Sequence, residues 1–418
     1  MVTMRRPNKS SSAKLSADSQ RLVMFAQAVI QAASRLEERA WERHLDAQVQ
    51  KLLKSNHQDS IDAALDELFK QQSGAYDALM EALEAGSESC RIDHDNVAYD
   101  ALLVAMPILA WTRFSIASGQ IPADMLTTLG AHLHAHVLAS DVRMAMAPTL
   151  FSIDQLPRSH VETLALTQRL AQAALKGGAI KPAADAPETA PFLADTRYVL
   201  AAIVAPAGEP LFHWQSGLNL SEREIAFNQW RNQATPNIAK LLPGCGVELL
   251  MPEAYYVACR EADKQIRPAS INAAVHYLTH TLGTDPSELA VSIGSFSEDT
   301  GEVRTDEYRV GFTHGQEPEV IYGIVWPLYG EEDDDTRLTA IDASGRPTAP
   351  EEISNKTPLE QIITLLQSAG VTRIKQHDER FAMEFCDDCG APLYPDMDAE
   401  LVHAEMPEDA PQGQSHLH

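Results

Sequence analysis

Between Gly177 and Asp195 three prolines, Pro182, Pro187 and Pro191, stand in a run of alanine and glycine. A proline has no backbone N–H to donate and pushes the residue before it out of the helical region, so neither a helix nor a central strand passes through such a run. The pattern of the chain also changes there. Before it, apolar residues recur at spacings of three and four; after it, short alternating runs appear between helices. The chain has 418 residues, beyond the roughly 250–300 at which a single core stops growing. The stretch is therefore the best domain boundary. The expected organisation is a basic disordered tail (1–15), a helical domain (16–177), a linker (178–195), an α+β domain (196–395) and an acidic C-terminal tail (396–418), giving an α+β protein.

The first half reads as a helical bundle, with a short irregular helical array as the alternative. One long amphipathic helix is expected from Ser16 to Leu53, carried by Leu22, Phe25, Val29, Leu45, Val49 and Leu52. Further helices follow Asp59 and pass through Tyr76–Leu83. The apolar run Val97–Trp111 is too short to span a bilayer, which takes roughly 20 residues, and reads as a buried helix that Pro107 kinks or ends. Two more helices are expected from Pro122 to Leu138 and from Arg158 to Leu175. In the second half, strands are expected at Tyr198–Val204 and Leu211–Trp214, and a helix capped by Ser221 runs to Leu242. A strand over Gly246–Met251, helices at Glu253–Lys264 and Ala269–Leu282, and strands at Leu289–Ser295, Glu307–Phe312 and Val320–Trp326 follow. A helix, Pro358–Ser368, then leads to a strand at Val371–Lys375. Ile238–Val247 and Ile362–Val371 look alike, each leading from a helix into a strand. The likeness marks either a duplicated α+β unit of ferredoxin-like type or a chance match of two helix–turn–strand junctions.

Charge restricts the partners. The net charge is -26, and most of it lies from Asp285 onward, where 29 acidic residues face 8 basic ones. Such a surface repels a phosphate backbone and an anionic membrane, so nucleic acid and membrane are not expected partners. A basic protein partner is compatible with it. Five cysteines, no apolar signal segment after the basic start, and a long chain together point to a reducing, cytoplasmic setting.

The sharpest local signal is Phe385-Cys-Asp-Asp-Cys-Gly-Ala-Pro-Leu-Tyr-Pro395. A Cys-x-x-Cys-Gly turn lets Cys386 and Cys389 reach one tetrahedral ion. His377 and His403 flank the pair and complete a Cys₂His₂ set for structural zinc, with His416 and His418 as weaker candidates. The same two thiols could equally form an inert reduced pair or a redox pair. Asp387 and Asp388, lying between them, disfavour a thiolate and so argue against redox reactivity. The pairs His132/His136 and His276/His280 each lie one turn apart on a helix and read as surface histidines. Cys259, Arg260, Glu261 and Asp263 crowd one stretch and are the candidates for a catalytic site, although ordinary ion pairing along a helix produces the same crowding. No phosphate-binding glycine loop or hydrolase elbow occurs in the sequence.

Ser152-Ile-Asp-Gln-Leu-Pro157, Ala258-Cys-Arg-Glu-Ala-Asp263, Trp326-Pro-Leu-Tyr329 and the Phe385–Pro395 segment together resemble an uncharacterised family of bacterial cytoplasmic proteins, a domain of unknown function. The resemblance covers both halves and implies a bacterial cytoplasmic setting, with no activity to transfer. The expected function is that of a non-enzymatic binding or regulatory protein ending in a small zinc knuckle. The alternative is an enzyme of unknown class with its site between the two halves.

Overall fold

A computed structural model of the chain describes residues 15–71, 73–112, 116–177, 180, 193–217, 221–297, 305–315, 319–328, 356–387 and 389–405. Residues 1–14 of the expected basic tail, most of the Pro-rich stretch, the acidic run Glu331–Asp335, Asp388, Tyr329, His416 and His418 lie outside the described residues.

The first four helices are α1 (Ala17–Gln31), α2 (Arg35–Lys54), α3 (Gln58–Gln71) and α4 (Ser73–Glu88). The single long helix expected over Ser16–Leu53 is thus two. Ser34 breaks it: its hydroxyl accepts from the Glu37 amide at 3.2 Å, and the Glu37 carboxylate accepts from the Ala33 amide at 3.1 Å. That reciprocal cap satisfies orphan donors of a new helix start. Leu22, Val49, Leu52, Ile61, Leu68 and Leu79 are fully buried together. Each contributes roughly 1.5–3 kcal/mol through apolar burial.

The helical half ends at Glu88, and the buried helix expected over Val97–Trp111 is a strand. β1 (Ser89–His94) and β2 (Val97–Trp111) form a hairpin with His94 opposite Val97. Asp95 and Asn96 close it, both with positive φ (51° and 62°), as a two-residue hairpin loop requires. Three strands and two helices then follow: β3 (Gly119–Gln120), α5 (Ala123–His136), β4 (Arg143–Phe151), α6 (His160–Lys176) and β5 (Ala194–Pro206). β5 lies between β2 and β4 and is antiparallel to both. Strands from either side of the Pro-rich stretch therefore share one sheet, and that stretch joins parts of one core instead of separating two domains. The expected strand at Leu211–Trp214 is a single bridge at Phe212 leading into the short helix α7 (His213–Gly217).

The sheet is completed by α8 (Ser221–Leu241), β6 (Gly246–Leu249) and β7 (Glu253–Ala254), with both strands on the far edge of β2. The strand order β6-β2-β5-β4, with all neighbours antiparallel and α5 packed beside α8, is a ferredoxin-like arrangement. It begins upstream of the Ile238/Ile362 likeness and takes in the first of those two segments as its last helix–strand unit, while α6 takes the place of its central hairpin. Both faces are covered. Val104, Met106, Ile108, Val199, Ala201 and Ile203 pack under α5 and α8. Leu103, Ala105, Leu109, Leu200, Ala202 and Val204 pack under α6 and the helix α9 (Tyr255–Leu282). A strand buried on both faces is apolar without alternation, which is why β2 reads like a core helix. Pro107 is tolerated because its carbonyl faces Leu250, whose amide it accepts at 3.0 Å. Its nitrogen points to the same edge, in the gap between the stretches paired by β7 and β6.

The sequence predicts two helices around Pro268, but α9 continues through the proline for 28 residues. Its first half is buried on the large sheet and its second half, through Ile271, Ala274 and Leu278, on a second one. Burial at both ends offsets the one amide bond that Pro268 removes. The second sheet holds β8 (Leu289–Ser297), β9 (Glu307–His314), β10 (Tyr322–Pro327) and β11 (Arg373–Ala382), in the order β10-β9-β8-β11. The helix α10 (Pro358–Ser368), started by a Thr357/Glu360 capping box, packs on the same face as α9. β11 runs parallel to β8, whereas β6 runs antiparallel to β2. The two look-alike segments thus enter different structures, and the likeness belongs to helix–turn–strand junctions. Two short strands, β12 (Tyr394–Pro395) and β13 (Leu401–Val402), form a hairpin. Residues 396–405, expected in the acidic tail, therefore belong to the folded part.

Candidate metal centre

The face of the second sheet turned away from α9 is built of small residues. Ser292, Gly311 and Gly323 stand opposite one another on β8, β9 and β10. A Cβ at Gly311 would lie 2.8 Å from the carbonyl oxygen of Pro395, and one at Gly323 would overlap the Tyr394 ring. The row is a trough that receives β12, and Ser292 Oγ donates to the Pro395 carbonyl at its floor.

Arg309 on β9 holds the next segment. It is fully buried, and its guanidinium carbon lies 4.3 Å from the Phe296 ring centre and 5.0 Å from that of Phe385. Nη1 donates to the carbonyls of Glu384 (2.6 Å) and Leu393 (2.7 Å), and Nε donates to Glu307 (2.6 Å). Glu384 and Leu393 are the two ends of a small hairpin that encloses the Cys-x-x-Cys turn. Within it, the Cys386 amide donates to the Ala391 carbonyl (2.7 Å) and the Gly390 amide to the Cys386 carbonyl (2.8 Å). Gly390 has φ +72°, the left-handed conformation that glycine takes without penalty. Next, the Asp396 carboxylate accepts from the amides of Asp398 (2.8 Å) and Glu400 (2.9 Å) and turns the chain back through β13. That return carries His403 to the thiols.

Cys386, Cys389 and His403 present donor atoms within 4.8 Å of one another. His403 Nε2 lies 3.2 Å from Cys389 Sγ. Two ligands on one tetrahedral zinc stand roughly 3.5–4 Å apart, given bond lengths of about 2.3 Å to sulfur and 2.0 Å to nitrogen. The Glu405 carboxylate is 3.3 Å from His403 Nδ1, the position from which a carboxylate fixes the other ring nitrogen toward a metal. His377, expected as the fourth ligand, is elsewhere. It is buried, its Nε2 contacts the Asp396 carbonyl at 2.9 Å, and its ring meets Phe381 edge-on. The expected four-ligand set is thus three converging donors plus a histidine that supports the turn carrying the third.

The catalytic candidates diverge, because consecutive helical residues point about 100° apart. Arg260 pairs with Glu84 of α4 at 2.5 Å. Cys259 sits beside Tyr255 and Asp263, and burial, reinforced by the Asp263 charge, pushes its thiol up, away from the thiolate a nucleophile needs. Glu261 lines a cleft of about 570 Å³ between α8, β6 and α9. On α5, His132 contacts Asn237 and His136 contacts Gln229, both at 3.2 Å and both on α8. His276 and His280 stack 6.3 Å apart beside a second cleft with Trp111 and Thr112.

Sequence reasoning missed the polar junction of α4, α6 and α9. Glu88 accepts from the Tyr256 amide at 3.0 Å, while Tyr256 Oη contacts Ser87 (3.0 Å) and Thr163 (3.1 Å). Burial pushes the Glu88 carboxyl up to about 7. Its partners are separated by up to 168 residues, so no local pattern announces them.

No helix among the described residues is long and apolar enough to cross a membrane. No curated protein and no solved structure matches the chain. A family model described as "Protein of unknown function (DUF2863)" matches residues 7–417, nearly the whole length, and the chain belongs to that family.

Proposed function

We propose that this chain is a non-enzymatic, cytoplasmic binding or regulatory protein whose C-terminal knuckle holds one structural zinc ion through Cys386, Cys389 and His403. The observation that carries the metal is the convergence of three donors from two separate hairpins on the outer face of the second sheet. Such a small, loop-rich element buries little apolar surface of its own, and a metal supplies the cross-link it needs. Three protein donors are one short of a closed tetrahedral set, so the fourth position falls to a donor other than His377. The binding reading is supported by the fate of the catalytic candidates: Arg260 is held in an ion pair, the Cys259 thiol is buried, and Glu261 faces another way. The acidic excess beyond Asp285 favours a basic protein partner.

The test is native-level affinity capture of the tagged full chain, read by mass spectrometry for partners and by elemental analysis for zinc. The expected result is one equivalent of zinc, lost in Cys386→Ser/Cys389→Ser, together with a stoichiometric, salt-sensitive partner. A bait that returns without zinc and takes none up removes the metal. A clean bait without a partner removes the binding reading and favours an enzyme.

A further inference from the structure

The cleft between α8, the β6–β7 edge and α9 is not explained by the knuckle, and its chemistry is mixed in an ordered way. Its floor is apolar, with Phe227, Leu250, Met251 and Ala258. Its two guanidiniums are already committed: Arg223 pairs with Glu253, and Arg231 lies 3.4 Å from Glu248 and over the Phe227 ring at 5.3 Å. Two carboxylates remain, Glu224 on α8 and Glu261 on α9. Glu261 accepts from the Gln265 amide, and neither carboxylate has an ion-pair partner among the described residues. Phe227 and Met251 are only partly buried, so the apolar floor is open to an occupant.

We propose that this cleft docks a basic, apolar-flanked segment of a partner protein, with a lysine or arginine side chain seated toward Glu224 and Glu261 and its apolar neighbours on Phe227 and Met251. The inference rests on the binding reading and names where and by what chemistry the partner is held. Charge selects the occupant: an anionic segment would meet two unpaired carboxylates and two arginines that are already neutralised. The apolar floor selects a segment over a small free cation, which would leave it uncovered. The volume of about 570 Å³ falls within the roughly 300–1,000 Å³ typical of ligand-binding clefts.

The test uses the full chain and a fluorescein-labelled, capped octapeptide alternating leucine and arginine, with its leucine–glutamate counterpart and spermidine as comparators. Saturable binding of the basic peptide alone is expected. It should weaken about tenfold or more in Glu224→Gln/Glu261→Gln and also weaken in Met251→Ser. It should be unchanged in Asp378→Asn/Glu379→Gln, an exposed acidic pair on β11 of the second sheet. Thermal melts confirm that each variant folds. Equal binding by the cleft variant overturns the proposal, as does equal weakening by the β11 variant, which would mean diffuse attraction. Spermidine binding that matches the peptide and ignores Met251→Ser overturns it in favour of a small cation. If the peptide result is negative while capture still returns a stoichiometric partner, the cleft assignment falls and the binding reading stands. If both are negative, both fall.

Discussion

The ring of Tyr394 fills the space that a side chain at position 323 would need, so Gly323 and Tyr394 act as one fitted pair. The pair joins the knuckle to the second sheet, because Tyr394 and Pro395 of β12 are buried in the trough of Ser292, Gly311 and Gly323. Gly323→Ala should therefore destabilise the protein by about 1–3 kcal/mol, the usual cost of overpacking a fitted contact. A double-mutant cycle with Tyr394→Leu should show a coupling of at least about 0.5 kcal/mol, because shortening the ring makes room for the methyl. Urea unfolding measures both. Additive effects would mean that the two residues do not share the contact.

The carboxyl of Glu88 gives the junction of α4 and α9 a dependence on pH. Desolvation pushes it up to about 7, with the negative charge of Glu84 adding to the rise, while the Tyr256 amide and Arg260 oppose it. His160, whose ring lies against Tyr256, is pushed down by burial. A carboxyl with a raised folded pKa adds stability below its ordinary value, and that stability is lost as pH rises through about 7. Glu88→Gln keeps an acceptor for the Tyr256 amide and removes the charge. It should be more stable than the parent at pH 8, by up to roughly 2–3 kcal/mol. Denaturant titrations from pH 4.5 to 8 should show the parent losing stability relative to the variant over that window. Parallel pH curves would place the Glu88 carboxyl at its ordinary value.

The parts legible in the sequence were those in which one short segment carries its own physical reason. The helix Pro358–Ser368, the helix ending at Gly177 and the Cys-x-x-Cys-Gly turn all belong to this class. Further signals were present and outweighed. Ser34 with Glu37 marks a helix start inside the apolar periodicity of Leu22–Leu52, and Asp95–Asn96 is a two-residue hairpin turn beside an apolar run that reads equally as a helix. What local patterns could not carry was pairing across distance. Nothing near Ala194–Pro206 says that it inserts between β2 and β4. Nothing near His377 says that its ring nitrogen is taken by the Asp396 carbonyl and so withdrawn from the thiols. The trough is a further case, because Ser292, Gly311 and Gly323 matter only as a row that forms once three strands are in register.

The cysteines should separate by reactivity. Burial pushes the Cys90 thiol up to about 11 and pushes Cys259 further, whereas Cys389 is exposed on the knuckle. After treatment with a chelator, iodoacetamide at pH 8 should label Cys389 at least about tenfold faster than Cys90 or Cys259, because the thiolate is the reacting form. Peptide mapping over a time course reads the order. Early labelling of Cys259 would revive it as a nucleophile.

Two histidines flank the thiols in sequence, and the structure gives them different work, so their removal should have different consequences. His403 contributes a donor to the metal group, while His377 steadies the Asp396 turn that brings His403 back. Competitive chelator titration of the full chain should show His403→Ala weakening zinc binding more than about tenfold, since only two thiols remain to hold the ion. His377→Ala should keep the full zinc equivalent and a closer affinity while losing stability in denaturant, because it leaves the Asp396 carbonyl without its partner in a buried setting. Cobalt substitution adds a spectroscopic check. The ligand-field bands of a tetrahedral site with two thiolates should survive His377→Ala and shift in His403→Ala. If both variants shift the bands alike, His377 enters the coordination sphere when the ion binds, and the turn at Asp396 rearranges to let it do so.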